Sequence, residues 1–319
     1  MAGSTAHAAG SRYTGSSAYC YANSLSMALV GAGAEPHDVP DVGFLECLTT
    51  QPFGNLFIQG DAGPLPLFSS AGMDPDAGLS HALEALGWTC QDARGGGGDA
   101  ALARLRAAVW DTPALAGPLD MGYLTHNPRY AGAAGADHFV VVLEVDDAQV
   151  RFHDPGGFPF ATLPIDQFLL AWKAERVGYA PRPYVLRSGF YQANRRSRQE
   201  MIERGLPGIR AGLVANPGGP VRYGGLRALQ LCAAVLHAGV SASLAAHLRG
   251  FALPLAARRR ADAAVFMEEA GNRTAAGLLA REARLFGAAQ YPAAQGWWDR
   301  VACLLDEMMA VEEMLIASV

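Results

Sequence analysis

The chain has 319 residues, half of them apolar and 17% charged, with a formal net charge of −5. That length can bury one large core or two ordinary ones, and the composition excludes a disordered chain. The mildly acidic balance, free of long single-sign runs, gives no electrostatic basis for a nucleic-acid or membrane partner, and no apolar run is long enough to span a bilayer.

In chain order, residues 1–12 read as a loose leader without the basic flank and apolar segment of a signal peptide. The turn-formers Thr14-Gly15-Ser16-Ser17 then lead into a helical pattern that Gly31-Ala32-Gly33 stops. A Gly- and Pro-rich stretch from Pro36 to near Gly78 reads as a long irregular loop of the kind that lines clefts. Short helices are expected at Leu79–Gly87 and Asp99–Trp110, and a strand at Pro113–Met121. The nearly continuous apolar run from His138 to Val145 predicts a central strand, Asp146-Asp147 a turn, and Gln149–His153 the return strand. A helix starting at Asp166 and a last strand at Pro183–Leu186 complete this mixed region. Beyond Ser188 the pattern predicts helices near 191–215, 222–238, 241–250, 259–270, 273–287 and 297–317, with no convincing strand. The expected organisation is α+β, with an α/β domain over 1–187 and a helical domain over 188–319.

Cys20 is expected in the first turn of the first helix, where unpaired backbone N–H groups and the helix dipole favour a thiolate. His138 opens the central strand, and Asp154 closes its hairpin partner sixteen residues on. Cysteine on a helix, then histidine and a carboxylate on successive strands, is the chain order of a papain-like triad. Asp154 would orient His138, and His138 would serve Cys20 as general base. The other four cysteines, Cys47, Cys90, Cys232 and Cys303, read as small buried hydrophobes, and the odd, scattered set favours reduced thiols in a cytoplasmic protein. No CxxC pair and no histidine spacing suggests a metal, and no cofactor is expected. His126 lacks ligand spacing, and His153 is expected on the face opposite Asp154 in a structural role. For the oxyanion, the Cys20 N–H supplies one donor, while Thr14, Ser16, Ser17 and Asn23 are candidates for the second. Asn23 has an alternative role in bracing the helix start.

Tyr19-Cys20, Pro118-Leu119-Asp120-Met121-Gly122-Tyr123-Leu124, Asp137–Leu143 and His153-Asp154-Pro155 together resemble the butirosin biosynthesis protein H family. Tyr223–Leu229 and Phe266–Arg273 resemble recurring segments of its helical half. The resemblance covers most of the chain and implies a papain-like cysteine peptidase fold followed by an all-α C-terminal domain. It also implies an acyltransferase of specialised metabolism that takes an acyl or aminoacyl group from an acyl carrier protein thioester. The acceptor is a small-molecule amine or hydroxyl, reached through an acyl-Cys20 intermediate. Tyr19, Tyr21, Asp120 and Tyr123 are the substrate-binding candidates. Tyr19 stands where the family commonly has histidine. A peptidase or amidase that uses the same triad with water, and an inactive binding protein, are the alternatives. The oligomeric state stays open, a homodimer included.

Overall fold

A computed structural model describes residues 12–15, 19–60, 63–180, 182–218 and 221–319. The chain begins with α1 (Cys20–Gly31), α2 (Val42–Leu48), β1 (Leu56–Gly60), β2 (Gly63–Leu67), α3 (Pro75–Leu86), β3 (Trp88–Ala93) and α4 (Gly98–Ala108). It continues with β4 (Ala114–Asp120), β5 (Asp137–Val145), β6 (Gln149–Asp154), β7 (Phe158–Pro164), α5 (Ile165–Lys173) and β8 (Leu186–Gln192). Then follow α6 (Arg198–Val214), β9 (Arg222–Gly224), α7 (Gly225–Ala238), α8 (Ala242–His247), α9 (Leu253–Glu269), α10 (Arg273–Gln295) and α11 (Trp298–Ser318). A mixed region of antiparallel sheets is thus followed by a helical C-terminal region. Among the described residues no helix is long and apolar enough to cross a membrane.

Two compact units emerge, one from residues 1–42 and 87–195, the other from 43–86 and 196–319. This partition differs from the expected boundary at 187, because residues 43–86 group with the helical half.

In the first unit, six strands form one antiparallel sheet in the order β3-β8-β4-β5-β6-β7. The apolar run of β5 is central, as its composition predicts. Phe139 meets α1, whose Ser24 Oγ donates to the Phe139 carbonyl at 3.0 Å and whose Tyr21 ring lies edge-on to it at 5.8 Å. Val140 and Val142 join Phe152, Phe168 and Trp172 in a buried cluster, each such side chain contributing about 1.5–3 kcal/mol. Residues 21–29 of α1 are all buried, so this helix is a core element with little polar face.

In the second unit, β2, β1 and β9 form a small antiparallel sheet beside the helices. Much of the expected 36–78 loop is therefore ordered as α2, β1, β2 and the start of α3, and β9 places a strand where only helices were expected. The reason is local: Pro64 and Pro66 lack N–H groups and disguise a strand, yet they are tolerated because β2 is an edge. β9, at three residues, is too short to show a period. Leu229, Leu236, Leu253, Phe286, Leu305 and Val311 form the helical core. Inside it Arg260, Glu282 and Glu312 are fully buried. Arg260 Nε donates to Glu282 at 2.6 Å, its Nη1 to the Pro52 carbonyl, and its Nη2 to Gly54 O at 2.9 Å and Asn55 Oδ1 at 3.2 Å. Asn55 Nδ2 in turn donates to Glu312 at 2.9 Å.

Candidate active site

Cys20 is the first residue of α1, and the residue before it, Tyr19, is left-handed at φ 61° and ψ 43°. For an aromatic residue this costs about 1–2 kcal/mol. Burial of the Tyr19 ring and two hydrogen bonds to its carbonyl hold it there: Asn23 N and Asn23 Nδ2 both donate to Tyr19 O at 2.9 Å. The first intrahelical bond therefore starts at Asn23, and the N–H groups ahead of it face out of the helix end beside Cys20.

His138 and Asp154 come together through strand register. Val141 pairs with His153 across β5 and β6, so continuing that register sets Asp154 opposite Val140, two residues from His138 on the same face. A register shift between Val142 and Glu144 is combined with a connection in which Asp146 Oδ1 accepts from the N–H groups of Ala148 and Gln149, both at 2.7 Å. The result is a bond of 2.7 Å from His138 Nε2 to Asp154 Oδ1, with both side chains essentially buried. His138 also shares a side-chain hydrogen bond with Cys20. Its Nε2 being engaged by Asp154, Nδ1 is the ring nitrogen left to face the thiol.

The electrostatics follow from these contacts. Burial by itself would lower the pKa of His138, but the charge and hydrogen bond of Asp154, reinforced by Cys20, push it up to about 10. Asp154 shows the complementary effect. Burial opposes its ionisation, yet His138, His126 and the Gly156 N–H hold its carboxyl well below the usual carboxylate range. An imidazolium next to a cysteine at a helix N-terminus is the setting in which a thiolate nucleophile is stable.

Two partners of Asp154 were not legible in the chain. His126 Nε2 donates to Asp154 Oδ2 at 2.7 Å, and the Tyr130 hydroxyl donates to the carboxylate at 3.1 and 3.2 Å. Tyr130 Oη also sits 3.3 Å from His138 Nε2. Asn127 organises the turn between them, its Oδ1 accepting from Arg129 N at 3.0 Å. The only signal in the chain is a histidine and a tyrosine four residues apart, and spacing alone does not aim them at a carboxylate. Gly156 N donates to Asp154 Oδ1 at 2.6 Å, and a Cβ at this position would fall on the Tyr130 hydroxyl. The glycine is thus required by close approach.

The remaining expected residues divide by what their polar atoms touch. Asp120 is buried; its Oδ1 accepts from Gly122 N and Gly135 N at 3.0 Å, and its Oδ2 from Arg176 Nε at 2.6 Å. Its carboxylate ties the 121–136 loop to Arg176, whose guanidinium lies 4.3 Å from the centre of the Tyr123 ring. Tyr21 is buried against Phe139. Thr14 is half-buried in the 12–15 segment. That segment is anchored by Tyr13, whose hydroxyl donates to Asp154 O at 2.9 Å and accepts from Gly157 N at 3.0 Å. Ser16, Ser17 and the leader up to residue 11 lie outside the described residues. His153 accepts from Phe160 N at 3.1 Å and packs edge-on to Phe160 and Tyr13. Among the described residues no group of three or more His, Cys, Asp or Glu could hold a metal ion.

Residues 219–319 match the family model of the YobF C-terminal domain. Over 305 residues the chain is 28% identical to "Uncharacterized protein YobF" of Bacillus subtilis (strain 168), a match spanning 94% of this chain and 95% of that protein. The chain is therefore similar to YobF along nearly its whole length, and its last hundred residues correspond to the domain that the YobF C-terminal model describes.

Proposed function

We propose that the protein is a cysteine-dependent acyltransferase built on a papain-like domain, with Cys20 as nucleophile, His138 as acid and base, and Asp154 as orienting carboxylate. The observation that carries this reading is the continuous chain of contacts from Cys20 through His138 to Asp154, the last at 2.7 Å. The antiparallel sheet with a buried helix presenting its N-terminal cysteine supports the papain-like assignment. The resemblance to the butirosin biosynthesis protein H family supports a carrier-protein thioester as donor and a small-molecule amine as acceptor.

The chemistry balances in two steps. The Cys20 thiolate attacks the thioester carbonyl carbon, the donor's carbon–sulfur bond breaks, and His138 gives its proton to the departing thiol. The acceptor amine then attacks acyl-Cys20 and surrenders its proton to His138. Cys20 leaves as the thiolate and an amide has formed, which restores the starting ion pair. Because thioester exchange is nearly balanced in energy, the outcome rests on whether amine or water reaches the acyl-enzyme.

Intact-protein mass spectrometry tests this with acyl-thioester donors, wild type and Cys20→Ala, with and without a pool of amines. Acylation of wild type alone, discharged into a new amide, is expected. Discharge only to free acid would establish a hydrolase instead, and equal labelling of Cys20→Ala would remove Cys20 from the mechanism.

A further inference from the structure

We propose that His126 is a positioning residue that extends the triad, clamping the second oxygen of Asp154 so that the first stays aimed at His138. This rests on the reading of Cys20, His138 and Asp154 as catalytic.

The surroundings of His126 argue for it. Its ring lies in an aromatic box, edge-on to Phe152 at 5.0 Å, Phe158 at 5.5 Å and Tyr130 at 6.1 Å. Its Nδ1 is buried and has no hydrogen-bond partner among the described residues. A buried polar atom without a partner is destabilising, and phenylalanine would fill such a box without that penalty. What the imidazole provides that phenylalanine cannot is the Nε2–H, and that group goes to Asp154 Oδ2 at 2.7 Å.

The two carboxylate oxygens are supplied unequally. Oδ1 accepts from His138 at 2.7 Å and Gly156 N at 2.6 Å, with Tyr130 at 3.2 Å. Oδ2 has His126 at 2.7 Å and Tyr130 at 3.1 Å. Without His126, Oδ2 keeps only the longer Tyr130 contact in a site closed to water. The carboxylate then gains by turning or by taking up a proton, and either change weakens its hold on His138. Weaker support for the imidazolium means weaker support for the Cys20 thiolate.

The test is the pH profile of Cys20 alkylation by iodoacetamide in wild type, His126→Phe, His126→Gln and His126→Asn. Gln places its amide N–H near the position of Nε2, whereas Asn places it near Nδ1. His126→Phe is expected to slow alkylation at neutral pH about tenfold or more, the worth of one charge-assisted hydrogen bond, and to move the midpoint to higher pH. His126→Gln is expected to restore most of the rate, and His126→Asn to behave like Phe. If His126→Phe does not fold, the Gln and Asn variants decide by themselves. Superimposable profiles in the folded variants would overturn the proposal. A wild type with only ordinary thiol reactivity would instead sink the nucleophile reading. In that event the NMR titration midpoint of His138, expected to fall in His126→Phe, still decides whether His126 acts through Asp154.

Discussion

Asp154 in the first unit and Glu282 in the second are both fully buried acids beside a cationic partner, yet they ionise in opposite directions. Asp154 is a lone carboxylate that receives donors from His138, His126, Tyr130 and Gly156. Glu282 shares its site with a second carboxylate, Glu312, and with one guanidinium whose remaining N–H groups go to Pro52, Gly54 and Asn55. Burial and then the charge of Glu312 raise Glu282 well above the ordinary glutamate value, more than Arg260 can offset. Burial is common to both sites; what decides the sign is the ratio of donors to carboxylates.

The stability consequences have opposite signs. The depressed Asp154 contributes stability that is present above its ordinary value of 3.8 and lost as pH falls toward its native one. His138, raised from 6.5 to about 10, contributes stability that is full below 6.5 and lost as pH rises through 10. Glu282 contributes stability that is full below 4.5 and lost as pH climbs to its raised value. The first unit thus gains from ionising its acid, whereas ionising Glu282 weakens the second.

The same chemical change at the two sites should therefore give opposite results. Asp154→Asn turns an amide NH₂ toward buried N–H donors and is expected to cost about 4–5 kcal/mol in urea unfolding. Cys20 alkylation in that variant should fall roughly 100-fold or more. A stable, reactive variant would break the comparison. Arg260→Met removes the guanidinium that donates to Glu282 and should cost about 3–4 kcal/mol by the same measurement, less because Glu282 can take up a proton instead. The smallest effect sharpens the contrast most. Glu312→Gln keeps an acceptor for Asn55 and offers Glu282 an N–H, so it should stabilise the protein by about 1–2 kcal/mol at pH 8 and hardly at all at pH 4.5. A loss of stability at pH 8 would mean that the second carboxylate is not the cause of the raised Glu282.

How much was legible depended on the range of the interactions. The helix start at Cys20, the apolar strand with His138 and the turn after Asp154 each carry a local signature, and all are found close to where the pattern put them. The helices from Gly225 onward likewise show the expected apolar spacing, with boundaries shifted by several residues; α10 runs on to Gln295 through Pro292. The patterns do not announce β1, β2, β3, β7 or β9; in β2 proline content and in β9 shortness hide a period that only pairing with β1 reveals. Asp120 shows a different failure. Its segment carries the pattern of the strand it forms, but no pattern shows that Gly122, Gly135 and Arg176 take up its carboxylate.

What the sequence by itself determined is which residue types stand at which element ends and in what order: a cysteine heading a helix, a histidine opening a buried strand, a carboxylate ending the next. Those properties depend on backbone periodicity and turn chemistry within a few residues. The tertiary structure alone decided who shares Asp154. His126 lies 28 residues before it and Tyr130 24 residues before it. They reach the same two oxygens because the loop carrying them folds over the end of the hairpin. Hydrogen bonds depend on distance and direction in space, and neither is written in the spacing of the chain.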